Sequence, residues 1–382
     1  AWRSRMRARA SSSGSRLDLI TMMAIVPCMA NREKADSAEA LRFAGLPAAL
    51  LDWYARHART LPWRIGPGER ARGVVPDPYR VWLAEIMLQQ TTVPHAAAYF
   101  DKFTRTWPSV EALAGAEDSD VMAAWAGLGY YARARNLLKC AREVTARGEW
   151  PRTEAGLREL PGVGPYTAGA VAALAFGEPA AAVDGNVDRV FARLLAAKGD
   201  WKDEKRRIAE TVRALVPADR PGEFAEALMD LGATVCTPKR PNCLICPVHE
   251  WCMGRAEGVP EQYPIKPAKK AKPVRFGEVY IIWREDEVAV ERRPSSGLLG
   301  GMLGLPTTDW REGGVPDRAD WAMVDATSIG GVKHVFTHFE LRLDVLVIES
   351  PSELPTGIEF QSAGEVAAAL PTVFRKALKL AS

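Results

Sequence analysis

Two acidic residues, Glu85 and Asp184, occupy positions in the sequence where a carboxyl group could take part in acid–base chemistry. Glu85 lies in the helical segment V-W-L-A-E-I-M-L, on the same face as Val81 and Leu88. On an apolar face the pKa of Glu85 should be raised, because loss of water disfavours the charged carboxylate, and Glu85 could then act as a proton donor. The alternative is that Glu85 faces solvent on a half-buried helix. Asp184 stands at or just before a helix start, where the dipole keeps a carboxylate ionised, and a simple N-cap is its alternative.

The two carboxylates together suggest one kind of reaction. Cleavage of a glycosidic bond uses one carboxyl group that is neutral and one that is anionic. The neutral acid protonates the leaving group, and the anion stabilises the oxocarbenium sugar. Glu85 and Asp184 are therefore the candidates for these two roles.

Four cysteines fall within seventeen residues in the pattern C-x6-C-x2-C-x5-C, namely Cys236, Cys243, Cys246 and Cys252. Thiolates this close in sequence can converge on one centre, and both zinc and a [4Fe–4S] cluster accept four cysteines. Zinc ribbons usually contain two C-x2-C pairs, and this run contains one. Two disulfides are a third alternative, although a metal suits a reducing compartment better. The spacing predicts a metal-organised loop and leaves its metal open.

A glycine-rich turn stands between two helical segments. A short helix is expected to end at Leu160, after which P-G-V-G makes a tight turn and Pro165 begins the next helix. Gly162 and Gly164 allow the backbone to approach a ligand, and the free amides at the helix start attract an anion. The pattern is typical of a helix–hairpin–helix that binds a DNA backbone; the alternative is an ordinary corner between two helices.

The elements that position these residues change type along the chain. From Leu41 to about Ala233 the apolar residues recur at helical spacing. Helices are predicted at Pro78–Thr92, Val110–Leu128, Ala132–Thr145, Glu154–Leu160, Tyr166–Phe176 and Val187–Leu195. Strands are predicted at Gly277–Trp283, Glu287–Glu291 and Leu341–Ile348, and the last twenty residues predict a helix.

Four regions follow from these patterns. Residues 1–35 are Arg- and Ser-rich, which predicts a disordered leader or a start site assigned too far upstream. Residues 36–255 form a helical domain, and residues 256–275 are rich in Pro and Lys, as in an extended linker. Residues 276–382 then form a smaller α+β domain. The expected architecture is multidomain and mainly α.

Composition excludes several classes of protein. The 382 residues are 47% hydrophobic and 25% charged, which is a globular profile. No run approaches eighteen apolar residues, so a transmembrane span is excluded, and six cysteines are too few for a disulfide-rich scaffold. The net charge is +3, of which residues 1–35 carry +5, so residues 36–382 sum to −2. An anionic partner must therefore be bound by local patches of positive charge.

Five motifs occur in the order found in one family. They are the Glu85 helix ending in L-Q-Q-T, G-L-G-Y-Y-A-R-A-R-N-L at 127–137, L-P-G-V-G-P-Y-T-A-G, V-D-G-N-V and the cysteine run. Over about residues 45–375 the chain resembles MutY-type adenine DNA glycosylases of the endonuclease III superfamily. The resemblance implies a helix-hairpin-helix glycosylase core with an iron–sulfur cluster loop at 236–252, and a C-terminal domain similar to MutT-type Nudix proteins. It also implies removal of adenine mispaired with 8-oxoguanine or guanine.

The resemblance assigns roles to the matching positions. Glu85 would protonate N7 of adenine, Asp184 would stabilise the sugar cation at C1′, and Tyr166 and Asn186 would support this centre. Gln90 and Tyr130 would enter the base stack when adenine is extruded, and the hairpin amides would bind phosphate. The four cysteines would hold a [4Fe–4S] cluster. The implied partner is duplex DNA with the mispair, bound by a cytoplasmic, nucleoid-associated bacterial monomer without membrane attachment.

One position separates two branches of the superfamily. Members that resemble endonuclease III carry a lysine in the second hairpin helix, which forms a Schiff base with the sugar. Tyr166 stands there in this chain, and a phenol cannot form an imine. The resemblance therefore implies a monofunctional glycosylase, although a bifunctional lyase for oxidised pyrimidines and a non-enzymatic iron–sulfur DNA-binding protein remain alternatives.

The C-terminal segment both matches and departs from the family. Phe336-Thr337-His338 matches its F-S-H hairpin, which inspects 8-oxoguanine, with Thr337 in place of Ser; the alternative for Thr337 and His338 is a pair of polar strand residues. The glutamate-rich Nudix box is absent, because 297–310 contains no Glu. Nucleotide hydrolysis is therefore not expected. The loop 297–306 also differs from the usual G-L-W-E-F-P, and the sequence offers no physical account of that change.

Overall fold

The structure is a computed structural model, and it describes residues 42–265, 267, 271–294, 297–314, 318, 326–348, 354 and 356–382. The predicted leader, residues 1–35, lies outside this set, as do residues 266 and 268–270 of the predicted linker. No helix in the described ranges is both long and apolar enough to cross a membrane.

Contacts within the chain group these residues into two compact units. The first unit contains 42–59, 66–73 and 172–265, and the second contains 60–65, 74–171 and the described residues from 267 onward. The domain boundaries predicted along the sequence, at 36–255, 256–275 and 276–382, stay predictions.

The first unit is helical. Its helices are α1 (Leu46–His57), α2 (Pro67–Ala71), the last turns of α9 (Pro165–Phe176), α10 (Gly185–Leu194), α11 (Trp201–Leu215), α12 (Pro221–Thr234) and α13 (Met253–Ala256). Helix α12 lies in the core, and its buried carboxylates include Glu226 and Asp230. Tyr54 donates to Glu226 at 2.7 Å, and the amide of Arg59 donates to Asp230 at 2.9 Å. These bonds satisfy charges that would otherwise be costly to bury.

The second unit also begins with helices. They are α3 (Pro78–Leu88), α4 (Val93–Thr106), α5 (Val110–Ala114), α6 (Asp118–Trp125), α7 (Ala132–Arg147), α8 (Glu154–Leu157) and the first turns of α9. The single predicted helix Val110–Leu128 is wrong, because Gly115 ends α5 and Glu117 caps a new helix. The predicted helix Glu154–Leu160 is also too long, since its last residues form tight turns.

A mixed sheet forms the C-terminal part of the second unit. Its strands are β1 (Val274–Arg284), β2 (Glu287–Arg292), β3 (Leu303–Gly304), β4 (Arg311–Glu312), β5 (Ala326–Val335), β6 (Glu340–Ile348) and β7 (Ile358–Ser362). The main order is β3-β2-β1-β6-β5, with β4 beside β1 and β7 beside β2; β1 and β6 run parallel, and the other pairs are antiparallel. The predicted strands 277–283, 287–291 and 341–348 are confirmed.

The C-terminal helices α14 (Ala363–Ala369) and α15 (Thr372–Ala381) complete this fold, and α15 packs on the sheet. Phe374 of α15 is fully buried with Val279 and Val345 of the sheet. Leu305 belongs to the same core and Met302 is also buried, so the unusual loop 297–306 contributes apolar side chains to packing. This packing gives a physical reason for apolar residues in that loop.

We expect Phe374→Ala to destabilise the C-terminal sheet, because truncating a buried phenylalanine costs about 3–5 kcal/mol in lost contacts and cavity formation. The midpoint of denaturant unfolding, followed by tryptophan fluorescence, should move to clearly lower denaturant. Lys379→Ala changes an exposed residue of the same helix and serves as the control. Equal midpoints for the two variants would contradict the assigned core.

Candidate functional site

Glu85 lies inside a helix that is buried on nearly every side. Helix α3 begins at Pro78 after Asp77, whose side chain accepts the amide of Tyr79, and nearly all of its residues are buried. Glu85 is only 5% exposed. The hydroxyl of Tyr166 donates to Glu85 Oε2 at 2.7 Å. The solvent-facing alternative is therefore wrong, and Glu85 is a buried carboxyl group held by a phenol.

Tyr166 reaches Glu85 because the hairpin places it at the second position of α9. Pro165 begins α9, where its missing N–H has no consequence. The next residue, Thr167, is buried and accepts a hydrogen bond from Gln89 Nε2 at 3.3 Å. Tyr166 therefore contacts α3, and Thr167 contacts Gln89, the residue just after α3. Together these contacts fix the phenol relative to the carboxyl group.

The hairpin turn requires glycine at one position. Gly162 has φ +76°, and a Cβ there would lie 2.6 Å from Cβ of Asn136. Any other residue would clash with α7 as well as strain the backbone. Both Gly162 and Gly164 are exposed just before α9 begins, so an anion can approach this turn.

Asp184 caps α10, and the cap uses both of its carboxylate oxygens. Oδ1 accepts the amides of Asn186 and Val187, both at 2.8 Å, and Oδ2 accepts the side-chain amide of Asn186 at 2.7 Å. Asp184 is half-buried. Three N–H donors hold the carboxyl group in one orientation. The N-cap alternative is thus correct as a description of structure, and it is compatible with a chemical role.

A chain of contacts leads from Asp184 to the cysteines. Arg189 donates to the side-chain oxygen of Asn186 at 2.9 Å and to the backbone oxygens of Gly232 and Cys236 at 2.7 and 2.9 Å. Helix α12 can approach because residue 232 is glycine: a Cβ there would lie 2.5 Å from Cβ of Asn186. Asn186 therefore supports Asp184 and is itself held by Arg189.

The four predicted cysteines line one cavity of about 290 Å³, which includes its open mouth. All four are free thiols, so the disulfide alternative is wrong. Burial raises the pKa of Cys246 to about 12, with a further contribution from the neighbouring thiols, and burial also raises the pKa of Cys243 and Cys252. In the described part of the chain, no group of three or more His, Cys, Asp or Glu side chains is arranged to hold a single metal ion.

Arg193 anchors the start of this cysteine segment. It is 1% exposed and donates to Cys236 Sγ at 3.2 Å and to the carbonyl oxygens of Thr237 and Pro238 at 2.8 and 2.9 Å. The same guanidinium group donates to the carbonyl of Tyr263 at 3.2 Å. The loop is therefore held to α10 by a buried positive charge that also faces a cysteine sulfur.

The two predicted DNA-inserting residues share an unusual backbone. Gln90 has φ +57° and Tyr130 has φ +48°, and both side chains are exposed. The left-handed region costs a residue with a Cβ roughly 1–2 kcal/mol. Such strain persists only where surrounding contacts impose it, and it is common at functional sites.

The F-T-H segment forms the turn between β5 and β6, so the alternative of polar strand residues is wrong. Thr337 and His338 are exposed, and the hydroxyl groups of Thr337 and Tyr130 form a hydrogen bond of 3.2 Å. Phe336 stacks on Trp310 with ring centroids 5.9 Å apart. Among the described residues, no hydrogen bond joins His338 to the other predicted site residues.

The site residues that the sequence did not identify are arginines bonded to backbone carbonyls. Arg133, Arg189 and Arg193 all lie within or beside the recognised motifs, yet no spacing rule assigns them partners. Several of their partners come from distant parts of the chain. The sequence offers a signal for Arg193 alone, because an arginine is unusual within a mostly buried helix.

Two family models and several known proteins match this chain. The family description "HhH-GPD superfamily base excision DNA repair protein" matches residues 83–218, and "NUDIX domain" matches residues 278–380. The chain is 32% identical to the adenine DNA glycosylase of Homo sapiens over 89% of this chain and 74% of that protein. It is 31% identical to the adenine DNA glycosylase of Buchnera aphidicola over 79% of this chain and 86% of that protein.

A solved thermostable thymine-DNA glycosylase is also similar, with 30% identity, 56% of this chain and 97% of that chain covered, and a TM-score of 0.49. The two family matches account for a helical core and a Nudix-like sheet. The curated relatives extend over most of both chains. This protein therefore belongs to the MutY-type adenine DNA glycosylases, enzymes of base excision repair in the HhH-GPD superfamily.

Proposed function

We propose that the protein removes adenine mispaired with 8-oxoguanine or guanine in duplex DNA and leaves the sugar–phosphate backbone uncut. The observation that carries the proposal is the 2.7 Å hydrogen bond from Tyr166 to the buried Glu85. It pairs a candidate acid with a phenol at the position where the lyase branch has lysine. Without an amine there, a Schiff base with the sugar cannot form through this residue.

Glu85 is the proposed general acid. Its burial disfavours the charged form, so the carboxyl group can carry a proton to adenine N7. The Tyr166 hydroxyl holds Oε2 and so fixes the carboxyl orientation, which proton transfer requires within hydrogen-bond distance. Protonation turns adenine into a better leaving group, and the bond from N9 to C1′ then breaks.

Asp184 is the proposed stabiliser of the sugar cation. The hydrogen bonds from Asn186 and Val187 hold its carboxyl group in one orientation, so little reorganisation is needed as positive charge develops at C1′. Water then adds to C1′, and the product is an abasic site. Asn186 acts as a positioning residue for Asp184.

Contacts with DNA are assigned to exposed residues. The amides of Gly162 and Gly164 before α9 would bind a backbone phosphate, so affinity should fall as salt rises. Gln90 and Tyr130 would enter the stack as adenine leaves it, at a cost that a mispair lowers. These contacts position the duplex and extrude the base.

The turn between β5 and β6 would inspect the opposite base. Thr337 and His338 are exposed there, and the Thr337 hydroxyl is bonded to Tyr130. A threonine retains the hydroxyl of the usual serine and adds a methyl group. The added methyl group changes the shape presented to 8-oxoguanine and leaves the donor and acceptor intact.

The cysteine run fits a [4Fe–4S] cluster. Cys236, Cys243, Cys246 and Cys252 line one cavity. Four thiols are the usual ligand set of such a cluster. When bound, it would supply a rigid centre that organises the loop 236–252. Arg193 would offset part of the negative charge of the thiolates.

The proposed partner is duplex DNA carrying the mispair, bound by a monomer at the bacterial nucleoid. The central experiment incubates the protein with a duplex containing A opposite 8-oxoguanine, with and without alkali. Strand cleavage that appears only after alkali supports adenine removal. A duplex with T opposite A is the control, and equal release from it would contradict the mispair requirement.

We expect Glu85→Gln to lower the single-turnover rate of adenine release by at least about 100-fold, because an amide cannot donate the catalytic proton. Binding to the mispair should change little. Glu143→Gln alters a partly exposed carboxylate on α7 and should behave as the wild type. Normal excision by the Glu85 variant would refute the acid role.

We expect no covalent product when the reaction is treated with borohydride, since Tyr166 cannot form an imine. A lyase of the endonuclease III type, treated in parallel, shows that trapping works. The readout is a protein–DNA adduct on a denaturing gel. An adduct with this chain would identify it as a bifunctional enzyme.

We expect the protein purified without oxygen to contain about four irons and four sulfides per chain and to absorb in the visible range. Cys246→Ser should lower the iron content, whereas Cys140→Ser, a change to a buried cysteine outside the run, should leave it unchanged. Zinc in place of iron would contradict the cluster assignment.

A further inference from the structure

Two loops carry the residues proposed to enter the base stack, and one arginine bonds to both. Gln90 follows α3, and Tyr130 precedes α7. Arg133, in the first turn of α7, donates to five carbonyl oxygens that belong to these two segments. The function described above gives Arg133 no role.

One end of the guanidinium group closes the C-terminus of α3. Arg133 Nη1 donates to the carbonyls of Ile86, Met87 and Gln89 at 3.0, 3.4 and 2.6 Å. The last carbonyls of a helix have no partner within it, and a cation there is favoured by the helix dipole. The next residue, Gln90, is the one with φ +57°. Arg133 thus holds the backbone immediately before the strained residue.

The other end holds the loop before α7. Arg133 Nη2 donates to the carbonyls of Leu128 and Gly129 at 3.0 and 3.3 Å. The indole N–H of Trp125 also donates to Gly129, at 3.0 Å. The guanidinium carbon lies 5.3 Å from the ring centre of Trp125 and 5.5 Å from that of Tyr130. The backbone and the ring of the second inserting residue are therefore both in contact with Arg133.

All the hydrogen bonds described for Arg133 go from its guanidinium N–H groups to backbone carbonyls. Among the described residues Arg133 has no carboxylate partner, and its buried Nε has no hydrogen-bond partner. Burial lowers the pKa of Arg133, which reflects the cost of placing the charge here. An ion pair does not offset that cost. The planar fork can reach two groups of carbonyls in fixed directions, which a lysine ammonium on one flexible stem cannot do.

We propose that Arg133 is a positioning residue that ties the Gln90 and Tyr130 loops into one rigid wedge, so that both side chains are in place before adenine is extruded. The proposal rests on the proposed function, because it concerns the same insertion step. Loops that are fixed beforehand lose less conformational entropy when the base leaves the stack. Arg133 acts through the two loops and need not contact DNA.

The test compares Arg133→Lys with Arg142→Lys. Arg142 lies on the same helix and also donates to backbone carbonyls, those of Ala114 and Ala116, away from both loops. Hydrogen exchange in the DNA-free protein should become faster in residues 86–91 and 127–131 of Arg133→Lys only. This measurement needs no activity, and it also shows whether the rest of the variant remains folded.

Kinetics provide the second readout. The single-turnover rate of adenine release opposite 8-oxoguanine should fall about tenfold or more in Arg133→Lys, because the Gln90 and Tyr130 loops are no longer held in place before the base is extruded. Affinity for a duplex with a tetrahydrofuran abasic analogue opposite 8-oxoguanine should stay within about threefold, since no base remains to be extruded. Arg142→Lys should match the wild type in both measurements.

Two results would overturn the inference. One is unchanged loop exchange together with normal excision in Arg133→Lys. The other is a parallel loss of excision and abasic-site affinity, which would make Arg133 a general DNA-binding or folding residue. If the wild type releases no adenine, the proposed function fails instead, and the exchange measurement still decides whether Arg133 restrains the loops.

Discussion

The chemistry proposed for this protein depends on one carboxyl group that is removed from water. Helix α3 is buried on nearly every side, and Glu85 shares that burial with its apolar neighbours. Burial disfavours a charged carboxylate there, and the phenol of Tyr166 donates a hydrogen bond that satisfies and orients one oxygen of the group. The hairpin, the start of α9 and the end of α3 all serve to keep these two groups together.

Arginine-to-carbonyl contacts recur wherever the site must be rigid. Arg189 joins Asn186 to the backbone of α12 and of the cysteine segment, and Arg193 holds the first cysteine. Arg133 does the same for the loops after α3 and before α7. A guanidinium group has five N–H donors in a plane, so one side chain can hold several segments at once. Loops that regular secondary structure does not hold are stabilised in this way.

Much of the fold could be predicted from the sequence, because helical periodicity and capping residues act locally. The helices around Glu85, Asp184 and the hairpin were found within a few residues, and the cysteines were expected to converge. The break at Gly115 was missed, since the apolar spacing continues across it. Strand β5 was missed because A-T-S-I-G-G-V-K-H-V has two glycines and mostly exposed residues; its pairing with β6 decides its conformation. Arg133 could not be assigned either, because the carbonyls of Ile86, Met87 and Gln89 that it binds lie 44 to 47 residues away in sequence.

Residue 232 is a glycine, and its lack of a side chain limits which substitutions this protein can tolerate there. The backbone of α12 passes so close to Asn186 that even a methyl group would displace it, although residue 232 has no proposed contact with nucleic acid. Displacing Asn186 would loosen the hydrogen bonds that orient the Asp184 carboxylate. Alanine is often the mildest replacement in a helix, but here its methyl group alone would crowd Asn186 and harm the protein. The effect of an inherited substitution at this position should therefore depend on the volume of the new side chain and not on its polarity.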